Sequence, residues 1–262
     1  MAIITLTTDL GCRDHYVALL KAYILKKSEN IQLIDISHEL EKYNLQQAAY
    51  IFGNAFHEFP KNSIHILGIR SANFKTKKNL IVYYKNQYII CPDNGLFSLF
   101  YDGSEVVYYE LNAYKYTHGI FISRDPLAQA ATDLANGIFV TDIATEVNDI
   151  VQSLNFQPVS NQDSITGRCI YIDSFGNVII NVKKAFFDHI CQGRKFTIFL
   201  PNTRISKICT AYDDVEHNEP LALFNSSGYL EIALNNGSAK QLLFPRNFLM
   251  HTEFQIPIEF YS

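Results

Sequence analysis

The chain has 262 residues, 48% of them hydrophobic, and a formal net charge of −4. That is enough to build one large or two small cores at roughly 100–200 residues per domain, and it excludes a disordered chain. A near-neutral balance, with no basic run longer than Thr76-Lys77-Lys78, argues against a nucleic-acid surface, and no run of about 18 apolar residues is present to span a bilayer.

Residues 3–7 read as a strand running into the polar turn Asp9-Leu10-Gly11, and 16–25 as a helix with apolar residues at helical spacing. Residues 32–36 form a second strand, broken by Ser37-His38. Residues 45–56 form a second amphipathic helix, ended by Phe59-Pro60, and 63–69 a third strand. Residues 80–84 and 88–91 flank Lys85-Asn86-Gln87 as a hairpin. Pro92-Asp93-Asn94-Gly95 is then a strong turn signal before another short helix. A strand at 106–111 and a helix at 125–136, stopped by Gly137, complete a region, residues 1–150, in which strands alternate with helices. The expectation there is α/β: a mostly parallel sheet with helices on both faces.

Residues 148–164 are polar, contain Pro158 and read as a linker. From 165 to 262 the apolar runs are short and β-like, at 169–173, 178–182, 195–200, 221–225, 229–234 and 253–259. Helical periodicity is weak, so a small β-barrel domain is expected. The five scattered cysteines, Cys12, Cys91, Cys169, Cys191 and Cys209, contain no Cys-x-x-Cys pair. They read as buried, reduced thiols. With a start that lacks the basic and long apolar regions of a secretory signal, they point to a cytoplasmic protein without a zinc site.

In an open parallel sheet a ligand lies beyond the carboxyl ends of the strands. Asp9, Ser37-His38, Arg70 and Pro92-Asp93-Asn94-Gly95 occupy those ends here. One polar turn is only a turn, but several at successive strand ends make a ligand site. The usual phosphate and nucleophile signatures (Gly-x-Gly-x-x-Gly, a Walker lysine loop, His-Glu-x-x-His, Gly-x-Ser-x-Gly) do not occur, which sets aside dinucleotide, ATP, zinc-hydrolase and serine-esterase chemistry.

Three segments together resemble one family. They are Thr7-Thr8-Asp9-Leu10-Gly11 with Asp14 and then Asp35-Ile36-Ser37-His38; Cys91-Pro92-Asp93-Asn94-Gly95-Leu96; and Tyr171-Ile172-Asp173-Ser174-Phe175-Gly176-Asn177-Val178 with Asn225-Ser226 and Gly228-Tyr229-Leu230-Glu231. In order and spacing they are similar to the S-adenosylmethionine (SAM) hydroxide adenosyltransferases, relatives of the SAM-dependent fluorinases and chlorinases. The resemblance implies an N-terminal α/β domain and a C-terminal barrel. It also implies a homotrimer with SAM, as substrate rather than cofactor, held at subunit interfaces; no metal is expected. By the same likeness Asp9 would accept hydrogen bonds from the ribose hydroxyls, with Asp14 and Asn94 nearby. Phe175 would pack on adenine and Asn177 read its polar edge. Asp173 would pair with the methionine ammonium, Ser226 would lie near its carboxylate, and Tyr229 would be a further substrate-binding residue. Read from the residues alone, Phe175 also suits a core, and Asn177 and Asn181 suit turn and strand-edge hydrogen bonds.

The chain departs from the hydrolytic members of that family where they carry an Asp-Pro-Gly-Val-Gly-Thr-x-Arg stretch and a Phe-His-Gly-Arg-Asp stretch. Arg70 stands at the aspartate, Lys77 at the arginine and Ile122 at the histidine, the last within Phe121-Ile122-Ser123-Arg124-Asp125. Water, with a pKa of about 15.7, must be oriented and deprotonated to attack carbon, and Ile122 can do neither. Arg70, Lys77 and Ser123 are the candidate catalytic residues that remain. Ser123 is open to two readings, a contact to an anionic nucleophile or a helix-capping hydroxyl. His118 and His38 are each open between a site role and a loop role. Cleavage of SAM to adenosine and methionine by a degenerate set is the leading expectation. The alternatives are a lapsed SAM- or adenosine-binding protein, or transfer to an anion such as chloride.

Overall fold

A computed structural model describes residues 1–71, 78–112, 121–153, 157–244 and 254–261. The chain divides into two compact units, Met1–Asn155 and Phe156–Ser262.

The first unit runs β1 (Ala2–Thr8), α1 (Tyr16–Lys27), β2 (Ile31–Ser37), α2 (Leu45–Ala55), β3 (Ile64–Gly68), β4 (Asn79–Tyr84), β5 (Gln87–Pro92), β6 (Val106–Leu111), α3 (Gln129–Ala135), α4 (Val140–Ile143) and β7 (Ala144–Val147). Its seven strands lie in the order β2-β1-β3-β5-β4-β6-β7. The pairs β1–β2, β1–β3 and β3–β5 are parallel, whereas β4–β5, β4–β6 and β6–β7 are antiparallel. The sheet is therefore half parallel rather than mostly parallel. A tight hairpin costs two residues where a parallel crossover needs a dozen or more. Lys85 and Asn86, both with positive φ (50° and 61°), make that hairpin turn, one residue shorter than the loop expected.

Helices form where apolar spacing and end chemistry agree. Helix α1 buries Val17, Leu20 and Ile24 and ends on Lys26 and Lys27, which suit the negative end of the helix dipole. Helix α2 starts at Asn44, whose side chain accepts the Gln47 amide at 3.0 Å. Leu20 and Ile24 of α1 and Ala130 and Ala131 of α3 share one apolar cluster with Ile66, Ile81 and Ile90; Ala48, Ala49 and Phe52 of α2 share another with Leu67, Leu80, Val82 and Ile89. Adjacent residues of one strand thus pack against different helices, the period-two consequence of the pleat. The helix expected from residue 125 is preceded by a π-helical stretch, Ser123–Ala128, containing Pro126.

The second unit runs β8 (Val159–Ser160), β9 (Ser164–Ile172), β10 (Val178–Lys183), α5 (Lys184–Cys191), β11 (Lys195–Leu200), β12 (Thr203–Ile205), β13 (Ile208–Cys209), β14 (Pro220–Phe224), β15 (Tyr229–Leu234), α6 (Ala239–Leu243) and β16 (Gln255–Tyr261). Its main strand path is β12-β11-β16-β9-β10-β15-β14-β13, with β8 beside β9 and β12 returning against β14, so the sheet is barrel-like and nearly closed. Two short helices appear where helical periodicity is weak. Helix α5 buries only Phe187 and Cys191, too few to write a periodic stripe. Strand β8 and the start of β9 fall within the stretch that reads as a linker. Four cysteines are buried, but Cys12 is exposed, a correction to the expectation for that thiol. Among the described residues no helix is long and apolar enough to cross a membrane, and no group of three or more acidic, histidine or cysteine side chains could hold a metal.

Candidate functional site

The parallel strands β2, β1, β3 and β5 bring their carboxyl ends to one edge, and the chain order reverses between β1 and β3. Asp9, immediately after β1, sits at this switch point, where α/β sheets open a crevice. Its carboxylate is 93% buried with its residue, and Oδ2 accepts two backbone amides, from Tyr43 at 2.9 Å and Arg70 at 3.2 Å. Both donors are non-glycine residues at positive φ, 65° and 49°, a conformation that costs of order 1 kcal/mol or more each and collects at functional sites. The Lys42 ammonium donates to the Asp9 carbonyl at 2.5 Å. Two amides on one oxygen fix the carboxylate and leave Oδ1 without a partner among the described residues. A rigid anion with one free acceptor suits a sugar hydroxyl.

The turn after Asp9 is wrapped by the segment following β2. Gly11, at φ 74°, donates its amide to the His38 carbonyl at 2.8 Å, and the Cys12 amide donates to Glu39 at 2.7 Å. His38 is 4% exposed; its Nδ1 lies 2.7 Å from the Thr8 hydroxyl and its Nε2 lies 3.1 Å from Asp35. The Nε2 contact is at ion-pair distance without in-line hydrogen-bond geometry. Asp35 also meets Lys21 at 2.5 Å. Burial alone would raise the Asp35 carboxyl, but the Lys21 and His38 contacts outweigh it and hold it below its ordinary value. Lys42 and Tyr43 are contributors that sequence reading missed, and Thr8 stood there only as part of a motif. The amides of Tyr43 and Arg70 leave no mark in side-chain chemistry.

At the ends of β3 and β5, Asn94 shapes the floor: its Nδ2 donates to the Ile69 carbonyl at 2.9 Å and its Oδ1 accepts the Leu96 amide at 3.1 Å. One amide hydrogen stays available to a ligand. Ser123 is fully buried, 3.3 Å from the Ser71 hydroxyl, beside Gly68, where an added Cβ would meet its Oγ at 2.5 Å. It is the first residue of the π-helical stretch, whose N-cap position is Ile122. Arg70 is exposed, and Ile122 packs against the cluster of α1, β1 and α3. Asp14 is exposed and forms no bond to the Asp9 group. Lys77 and His118 lie outside the described residues. A cavity of about 540 Å³ lies at the opposite edge of this sheet, lined by the starts of β1, β3 and β5. Its side chains include no carboxylate, and it is separate from the Asp9 group.

In the second unit the loop after β9 is closed on itself. Asp173 Oδ1 accepts the amides of Phe175 at 3.0 Å and Asn177 at 2.8 Å, and Oδ2 accepts Asn177 Nδ2 at 2.9 Å. Gly176, at φ 85°, is required here: a Cβ would stand 2.1 Å from the Ser238 hydroxyl. The loop displays Phe175, 78% exposed, which excludes core packing for that ring within this unit. Asn177 is buried, and its side-chain carbonyl has no hydrogen bond among the described residues. Near it Glu231, 3% exposed, takes the Tyr212 hydroxyl at 2.8 Å and Asn225 Nδ2 at 3.2 Å. Burial raises its carboxyl, the two donors lower it, and Asp173 adds to the rise. Ser226 is exposed on the turn before β15, and the Lys183 ammonium sits 3.9 Å over the Tyr229 ring.

Residues 4–144 match the family model for the SAM hydroxide adenosyltransferase N-terminal domain, and residues 167–244 match that for the C-terminal domain. The chain belongs to the SAM hydroxide adenosyltransferase family. It is 29% identical to an (R)-S-adenosyl-L-methionine hydrolase of Methanocaldococcus jannaschii, covering 92% of this chain and 91% of that one. It is 23% identical to a fluorinase of Actinopolyspora mzabensis, with 94% and 93% covered. A crystal structure of an uncharacterized conserved protein from Thermotoga maritima is similar over 98% of this chain and 99% of that one, with a TM-score of 0.84 and 26% identity.

Proposed function

We propose that this protein binds SAM and cleaves it to adenosine and L-methionine. The observation that carries the proposal is the Asp9 carboxylate, held by two strained backbone amides with one oxygen free at the switch point of the sheet. In this reading Asp9 takes the ribose hydroxyls, Phe175 stacks on adenine, Asn177 offers its carbonyl to the purine edge, and Ser226 and Tyr229 stand at the amino-acid end. Phe175 is too exposed in one chain to serve alone, which supports a homotrimer with each site at a subunit interface.

The chemistry is displacement at the ribose C5′: a water oxygen forms the new C–O bond while the C–S bond breaks. Methionine leaves a sulfonium as a neutral thioether and needs no acid. The attacking water loses one proton to solvent. General-base help is typically worth about 10²–10⁴-fold, so a chain with Arg70 and Ile122 at the hydrolytic aspartate and histidine is expected to turn over slowly by that factor. Adenosine release from SAM, followed by chromatography with and without chloride, tests this. Adenosine lost in Asp9→Ala supports hydrolysis, and a 5′-chloro product identifies an anionic nucleophile instead. The packing of Ile122 into the core favours a second reading, a binding protein without turnover. That reading stands if SAM raises the melting temperature and remains intact.

A further inference from the structure

We propose that His38 is a positioning residue that holds the Asp9 turn in its ribose-accepting geometry; this rests on the nucleoside reading of Asp9. The imidazole is buried, yet each polar end of the residue is engaged with something that matters to the turn. Its Nδ1 meets the Thr8 hydroxyl, one residue before Asp9, at 2.7 Å, and its carbonyl takes the Gly11 amide, two residues after, at 2.8 Å. Thr8 Oγ1 also receives the Leu10 amide at 3.4 Å. His38 therefore spans Asp9 from both sides. Its far nitrogen lies 3.1 Å from Asp35, at ion-pair distance, and Lys21 of α1 meets the same carboxylate at 2.5 Å.

A second buried histidine supplies the control. His65, fully buried on β3, lies between Thr5 at 2.7 Å and Gln87 at 2.5 Å, in mid-sheet rather than at the site edge. It has the same burial and a like pair of partners but no reach to the Asp9 turn.

The test is adenosine and 2′,3′-dideoxyadenosine binding, by ligand-observed NMR, to the full-length protein and its variants. His38→Ala is expected to weaken adenosine about 10–30-fold, from a loss of one to two hydrogen bonds' worth of ordering. The dideoxy nucleoside, which has no hydroxyl for Asp9, should bind wild type and His38→Ala alike. His38→Asn, whose amide can still meet Thr8, should restore adenosine to within about threefold. His65→Ala should lower the melting temperature and leave adenosine affinity unchanged. An equal loss for both nucleosides, or no loss in His38→Ala, overturns the assignment. Should His38→Ala not fold, Asp35→Asn replaces it, with about a threefold loss for adenosine alone expected and no loss overturning the proposal. If wild type binds neither nucleoside nor SAM, the nucleoside reading itself fails and this inference falls with it; binding without a His38 effect removes only the inference.

Discussion

Asp9 carries two separable duties, and substitution can part them. Its Oδ2 satisfies the amides of Tyr43 and Arg70, while its Oδ1 has no partner among the described residues. Asp9→Asn keeps an acceptor for the amides and should leave the melting temperature close to wild type while SAM affinity falls. Asp9→Ala strips both amides and should cost about 1–3 kcal/mol of stability besides, measured by denaturant titration. His65 gives a pH signature of another kind. Burial pushes its pKa from 6.5 down to about 4, against a raising contribution from Gln87. Between those values the unfolded chain binds a proton that the folded chain refuses. The stability it confers is therefore complete above pH 6.5 and is lost as pH falls toward 4, by about 3 kcal/mol at most. Urea midpoints from pH 7 to pH 4 check this, and His65→Gln should flatten that part of the curve.

Turns, more than strands, set the site at the scale of elements. The Asp173–Asn177 loop holds three hydrogen bonds to one carboxylate and thereby presents Phe175. Asp173→Ala is expected to loosen that presentation, weakening adenosine binding about tenfold with a smaller change in global stability, since the loop lies outside the barrel's apolar cluster. Gly95, at φ 88°, has Ser153 so near that a Cβ would lie 2.1 Å from its hydroxyl. Gly95→Ala combines a left-handed backbone with that clash and should destabilise by about 1–3 kcal/mol, read as a lowered midpoint. In the first unit the central strands are legible as continuous apolar runs, because both of their faces are buried, and the helices by their apolar spacing. Helix α5 escaped that logic, as a short element fixed by two buried side chains and a left-handed stop at Gln192 and Gly193.

At the scale of the whole molecule, the proposed function places Phe175 at a subunit interface of a homotrimer. Sedimentation is expected to give a species about three times the 29.9 kDa chain, and Phe175→Ala should reduce SAM affinity without lowering the barrel's own stability. By itself the sequence determined the alternation of strands and helices up to about residue 147, the β-rich remainder, and the family, because hydrophobic period and turn residues are local properties. It also singled out Asp9, Asn94 and the Asp173–Asn177 loop, since those turns carry their own side-chain chemistry. Only the tertiary structure decided that half the first sheet is antiparallel, that Ile122 faces the core, and that the amides of Tyr43 and Arg70 converge on one oxygen of Asp9. Those facts depend on backbone groups and on strands far apart in the chain. A backbone amide has no residue-specific signature, and its direction is set by how distant segments pack.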